Sequence, residues 1–121
     1  MGEKLPVSIR LNPFKTSKLP LGEKIPWSPW GYWLNERPLF TLDPLFHAGC
    51  YYVQDASAMY VGHVFRKILQ QFNYKGGIKV LDLCASPGGK TTDLATSLRE
   101  SYGDDFLLVS NEVLKERARI L

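Results

Sequence analysis

The spacing of hydrophobic positions changes along the chain, and the changes mark its elements. Before residue 45, prolines at 6, 13, 20, 26, 29, 38 and 44 interrupt every apolar run, so extended pieces and turns are expected rather than a long helix. From Ala56 to about Phe72 the period becomes helical, with Val61, Val64, Phe65, Ile68, Leu69 and Phe72 on one stripe and Asp55 or Ser57 available as cap. That helix should pack on a sheet, and Lys75-Gly76-Gly77 should end it. The run Ile78-Lys79-Val80-Leu81-Asp82-Leu83 then reads as a strand covered on both faces, stopped by an acid and by Pro87 and Gly88. Thr91, Leu94, Ala95 and Leu98 recur at helical spacing after it. Phe106 to Glu112 repeats the strand pattern, again closing on an acid, and Leu114, Ala118 and Leu121 predict one face of a last helix that runs to the end of the sequence without a stop signal.

The turn between the first of these strands and its helix, Cys84-Ala85-Ser86-Pro87-Gly88-Gly89-Lys90, has the composition of a ligand loop. Glycines allow the backbone to approach a bound group closely, and the first N–H groups of a helix are donors that carry partial positive charge. Lys90 adds a full cation where the helix dipole disfavours one, which suggests an anion at that end. The plainer alternative is an ordinary turn with a solvated lysine. A Walker A loop would need glycine at position 84, where cysteine stands, so an NTPase fragment is a weak reading despite Gly89-Lys90-Thr91. The adjacent pair Gly88-Gly89 also lacks the spacing of a dinucleotide fingerprint. Glu112, at the tip of the second strand and somewhat more than about 20 residues beyond the loop, is placed to accept hydrogen bonds from ribose hydroxyls, unless it is only a solvated acid favoured by a helix dipole.

At this point the motifs resemble a family. Asp82-Leu83-Cys84-Ala85-Ser86-Pro87-Gly88-Gly89-Lys90-Thr91 is similar to the first cofactor motif of the Sun (Fmu) type RNA cytosine methyltransferases. Ser8-Ile9-Arg10-Leu11-Asn12-Pro13-Phe14-Lys15 resembles that family's N-terminal Arg-x-Asn-x-x-Lys signature. Gly49 to Ser57 resembles the stretch that leads into its catalytic domain, and Ser110-Asn111-Glu112 with Arg117 resembles its ribose-binding strand. The resemblance implies an α/β fold, the beginning of a Rossmann-like methyltransferase domain with its first two parallel strands and their helices. It implies S-adenosyl-L-methionine as cofactor, with Cys84, Ala85, Ser86, Pro87, Gly88, Gly89, Lys90 and Glu112 binding it, and RNA as partner, most readily ribosomal, with transfer RNA also open. Arg10, Asn12 and Lys15 are the RNA-contacting candidates on the same ground. Gln54 and Asp55 would lie near the entrance to the site, where Asp55 is read first as a helix cap. The family's two catalytic cysteines stand in later motifs that do not occur here, so no catalytic residue is assigned, and Cys50 and Cys84 are read as small packing residues.

Length and charge add the organisation. Two parallel strands are too few to close a doubly wound site, which makes the 121 residues look like the front of a longer protein, with an irregular basic and aromatic leading segment at 1–50 and the start of the methyltransferase domain at 51–121. Residues 1–24 hold five cations and two acids, whereas residues 25–121 hold ten of each sign, so the net charge of +3 sits entirely at the front. Trp27, Trp30, Tyr32 and Trp33 follow directly, and cations beside planar rings suit phosphate neutralisation and base stacking, although the rings would equally serve as a cover over a core. A non-catalytic RNA-binding module with a vestigial cofactor loop is the competing reading. No signal-like or membrane-spanning run occurs and the two cysteines form no disulfide framework, which points to the cytoplasm. His47 and His63 lack partners at metal-ligand spacing, and neither a metal nor an obligate protein partner is implied.

Overall fold

A computed structural model describes residues 6–121 of the chain, in two compact units, Met1–Tyr60 and Val61–Leu121. In the first, strand β1 (Val7–Leu11) lies between β2 (Gly31–Leu34) and β3 (Tyr51–Val53) in an antiparallel sheet of order β2-β1-β3. The register sets Ile9 opposite Tyr32 and Val53, and Arg10 opposite Gly31 and Tyr52. β1 is short, central and almost wholly buried, and the prolines all fall outside the three strands, where no ladder donor is lost. The leading segment is thus a paired sheet and not an irregular wrap. Tyr51–Val53 completes this sheet, so the first compact unit includes it.

Ile9, Cys50 and Tyr51 form the buried centre of this unit, packed by Leu11, Leu34, Phe40, Phe46 and Val53. Full burial of a side chain such as Ile9 contributes about 1.5–3 kcal/mol. A 3-10 turn (Phe40–Leu42) leads into the single helical turn α1 (Pro44–His47). Asp43 caps α1 by accepting from the Leu45 amide at 2.9 Å, and it also accepts the Tyr51 hydroxyl proton at 2.5 Å. These bonds hold the Asp43 carboxyl below its usual range, the Tyr51 bond most, while burial and that same carboxylate push the Tyr51 phenol up.

Helix α2 (Ala56–Phe72) matches its expected span, but its stripe matches only in part, at Leu69 and the half-buried Phe65. Met59, Gly62 and Leu69 are buried, whereas Val61, Val64, Ile68 and Phe72 are exposed. Helix α3 (Gly89–Tyr102) has a buried face that includes Asp93 and Ser97 beside Leu94 and Leu98. Arg66 donates to Asp93 at 3.0 Å and to Ser97 at 3.2 Å. A Cβ on Gly62 would collide with the Asp93 carboxylate, so glycine is what admits that group. A polar contact thus joins the two helices.

Strands β4 (Ile78–Asp82) and β5 (Phe106–Ser110) pair in parallel, in register from Ile78↔Phe106 to Asp82↔Ser110, with α3 as the crossover that a parallel pair requires. Their exposure alternates, so Leu81, Leu107 and Val109 share an uncovered face, and the expectation of a strand covered on both sides is corrected on that face. Asn73, with φ 47°, follows the end of α2, and Gly76 and Gly77, with φ 114° and 63°, make the turn into β4. The last helix is one turn only, α4 (Lys115–Ala118), instead of the longer helix expected.

Candidate cofactor site

Everything expected of the cofactor loop converges on the carboxyl ends of β4 and β5. Asp82 ends β4, and its two oxygens have separate duties. Oδ1 accepts from the Cys84 amide at 3.2 Å, and Oδ2 accepts from the Thr91 hydroxyl at 2.6 Å. One carboxylate therefore ties the start of the loop to the first turn of α3 on its far side. The parallel ladder continues past its last strand residues, through Asn111 N–H to Asp82 O at 2.8 Å and Ala85 N–H to Asn111 O at 2.9 Å. The Asn111 side chain donates to Leu83 O at 3.0 Å.

Ser86 and Arg117 close the other side reciprocally. The Ser86 hydroxyl donates to Arg117 O at 2.7 Å, and Arg117 Nη2 donates to Ser86 O at 2.8 Å. The Ser86–Pro87 peptide is cis. Gly88 follows as the N-cap of α3, buried, at φ 112°, a left-handed conformation that L side chains rarely adopt. No side chain caps this end. The first helical bond comes from Thr92 N–H to Gly88 O at 2.9 Å, so the amides of Lys90 and Thr91 precede the ladder. Lys90 is exposed beside them and makes no polar contact with the described residues. A 14-residue helix whose N-terminus is uncapped, glycine-led and cationic is chemically suited to a carboxylate or phosphate.

Of the expected loop residues, Ala85, Ser86 and Gly88 are buried, Gly89 is half-buried, and Cys84, Pro87 and Lys90 are exposed. Exposure of Cys84 corrects its reading as a packing residue, whereas Cys50 is buried as expected. Glu112 lies two residues beyond the end of β5, half-buried, with Oε1 accepting from the Leu114 amide at 3.1 Å. Asp82, Thr91 and Asn111 were not among the expected site residues. All three stood within the motif stretches, Asp82 and Thr91 at the two ends of the first and Asn111 beside Glu112 in the second, but their bonds across the loop had no signal in the sequence.

The N-terminal signature has a different environment. Arg10 is 4% exposed, inside the sheet, with its guanidinium over the Tyr52 ring at 5.9 Å from the centroid. Asn12 donates to Gly49 O and accepts from the Phe14 amide, each at 3.0 Å, and Lys15 donates to Ala48 O. Asn12 and Lys15 thus meet on the Ala48–Gly49 turn, and Lys15 remains exposed. A groove of about 360 Å³ beside them is lined by Phe14, Thr16, Ser17 and Trp30 among others. Trp27 is half-buried, edge-on to Trp33 and Tyr60, and donates to Ala56 O, which places it in local packing. Gln54 is 7% exposed, with Ser8 bonded to its backbone oxygen, and Asp55 begins α2 through its carbonyl, which accepts from the Ala58 and Met59 amides. Among the described residues, no helix is long and apolar enough to cross a membrane.

Comparison with known proteins agrees with these motifs. Residues 1–56 match the family described as the N-terminal domain of 16S rRNA methyltransferase RsmF. The ribosomal RNA small subunit methyltransferase F of Aeromonas hydrophila is 35% identical over 130 residues, and those of Pectobacterium atrosepticum and Shewanella piezotolerans are 34% and 31% identical. Each alignment covers 94% of this chain and 25% of the relative, so the chain spans about a quarter of their length. The solved crystal structure of PH0851 superposes over 99% of this chain and 27% of its own, with a TM-score of 0.72 and 24% identity, a likeness of fold. The motifs, the matched leading domain and these relatives agree that, over the stretch it spans, the chain is similar to the N-terminal part of the Sun (Fmu) type methyltransferases.

Proposed function

We propose that the chain is the front of an RNA (cytosine-5)-methyltransferase, with S-adenosylmethionine as methyl donor and ribosomal RNA as substrate. The observation that carries this reading is the uncapped, glycine-led N-terminus of α3, set beside Glu112 at the ends of two parallel strands. In a doubly wound Rossmann-like sheet, ligands bind at the carboxyl ends of the strands. The residues fit the cofactor: the amides at the start of α3 and the Lys90 ammonium would hold the methionine carboxylate, and Glu112 would accept from the ribose hydroxyls through the oxygen not bonded to Leu114. When bound, the cofactor supplies an electrophilic methyl group on a sulfonium. The part of this chain is to bind and orient. Asp82 holds the loop in shape through Cys84 and Thr91, and no residue here is assigned to attack the base.

The leading unit supplies the RNA contact in this proposal. Lys15, Lys18 and Lys24 are exposed, Lys15 lines the aromatic groove and Lys24 lies over Tyr32, a set suited to phosphates and unpaired bases, while Arg10 and Asn12 hold the strand and turn that present them. A cytoplasmic setting accords with RNA as substrate.

The test is methyl transfer from labelled S-adenosylmethionine to unmodified ribosomal and transfer RNA, using the product of the longest reading frame that contains this sequence. 5-Methylcytidine in ribosomal RNA, identified by mass spectrometry, is the expected result. Label in transfer RNA alone would reassign the substrate. Binding of RNA with no methylation of either would favour the RNA-binding module.

A further inference from the structure

The two halves of the proposed site lie on different strands, and a cofactor spanning them requires a constant separation. Backbone pairing joins the halves as far as Ala85. Beyond it, the loop turns away from the ladder through Ser86, Pro87 and Gly88, and Ser86 is bonded to Arg117 at both its hydroxyl and its carbonyl. Arg117 lies in α4, five residues past Glu112, and Glu112 itself accepts from the Leu114 amide in the turn leading into that helix. One short segment therefore presents the acid for the ribose at one end and restrains the carboxylate-binding loop at the other.

Resting on the methyltransferase reading, we propose that Arg117 is a positioning residue that fixes the Ser86–Gly88 loop relative to Glu112. Its bond is to a carbonyl and not to a ligand. A guanidinium also differs from an ammonium in presenting a rigid planar set of donors on a longer stem, so lysine is not equivalent here. Ser86 responds through its hydroxyl, which makes the contact a two-way clasp in which loss of either partner loosens the other. Ser86 is 6% exposed, so a carbonyl stripped of its guanidinium partner has restricted access to water.

The experiment uses the complete reading-frame product and its Arg117→Gln, Ser86→Ala and doubly substituted forms. Hydrogen exchange at the amides of Ala85, Ser86, Gly88 and Gly89 is followed without any ligand, S-adenosylmethionine affinity is measured by calorimetry, and KM is determined separately for cofactor and RNA. Arg117→Gln is expected to speed exchange in the loop about tenfold and to raise the cofactor Kd and KM about five- to tenfold, with the RNA KM unchanged. The double form should lose less than the product of the two single effects. Unchanged loop exchange overturns the proposal, as does an effect on RNA KM alone, which would make Arg117 a substrate contact. If the unsubstituted protein binds no S-adenosylmethionine, the methyltransferase reading fails and this inference with it. That outcome is distinguishable, because it is read in the parent and not in the variants.

Discussion

The antiparallel unit and the β4–α3–β5 unit use charge and glycine in opposite ways. In the first, the conspicuous polar groups are consumed internally: Arg10 lies over Tyr52, Asn12 bonds Gly49 and Phe14, and Lys15 reaches the carbonyl of Ala48. In the second, a helix end is uncapped, Lys90 is exposed, and Leu81, Leu107 and Val109 line an uncovered sheet face. A signature rich in cations can thus have many of its donors bonded internally, while a loop poor in charge can leave donors at a helix end open. What matters is whether donors are already satisfied.

That contrast can be broken most severely at the buried polar contact of the second unit. Gly62→Val would drive a side chain into the Asp93 carboxylate and displace it from Arg66, and it should cost about 3 kcal/mol or more in chemical denaturation of the complete protein. A loss below about 1 kcal/mol would show that α2 and α3 are held by apolar contacts instead.

Glu112→Ala comes next, with cofactor affinity in the complete enzyme expected to weaken by about 1–3 kcal/mol while the melting temperature hardly changes. Unaltered affinity would remove Glu112 from the site. Asn12→Ala sharpens the other side of the comparison. Two hydrogen bonds disappear, and stability should fall by about 1 kcal/mol, with RNA affinity changing only through folding. Weakened RNA binding in a fully stable variant would instead make Asn12 a direct contact.

Acid titration gives the smallest effect. Because the Tyr51 and Leu45 bonds lower the Asp43 pKa from 3.8, its contribution is complete above that value and is lost as pH falls through the lowered folded value. Asp43→Asn should therefore lower stability slightly at neutral pH, with the difference from the parent closing as pH falls below 3.8, which flattens the acid limb of the stability profile. An equal shift at every pH would assign the loss to helix capping alone.

Much of the second unit was legible in order. Ile78–Asp82, the loop, the helix from Gly89 and the strand from Phe106 follow directly from apolar runs, Pro87 and the glycines, because each is a local preference of neighbouring residues. The leading sheet was less legible, since β2 and β3 are only four and three residues long and acquire their meaning from β1, which lies far away in sequence. The polar contact between α2 and α3 was hidden for a related reason. Asp93 and Ser97 acquire a buried partner only where Arg66 and the missing side chain of Gly62 meet them across space.

Sequence alone determined the order of elements from α2 to β5, the place of the glycine loop and the acid beyond β5, because turn chemistry and periodicity act over a few residues. Only the tertiary structure decided that Arg10 is buried, that Asp82 joins both sides of the loop, and that Arg117 clasps Ser86 from 31 positions away. Such pairings depend on distances across space, and each is made by a polar group whose own sequence neighbourhood is equally compatible with solvent.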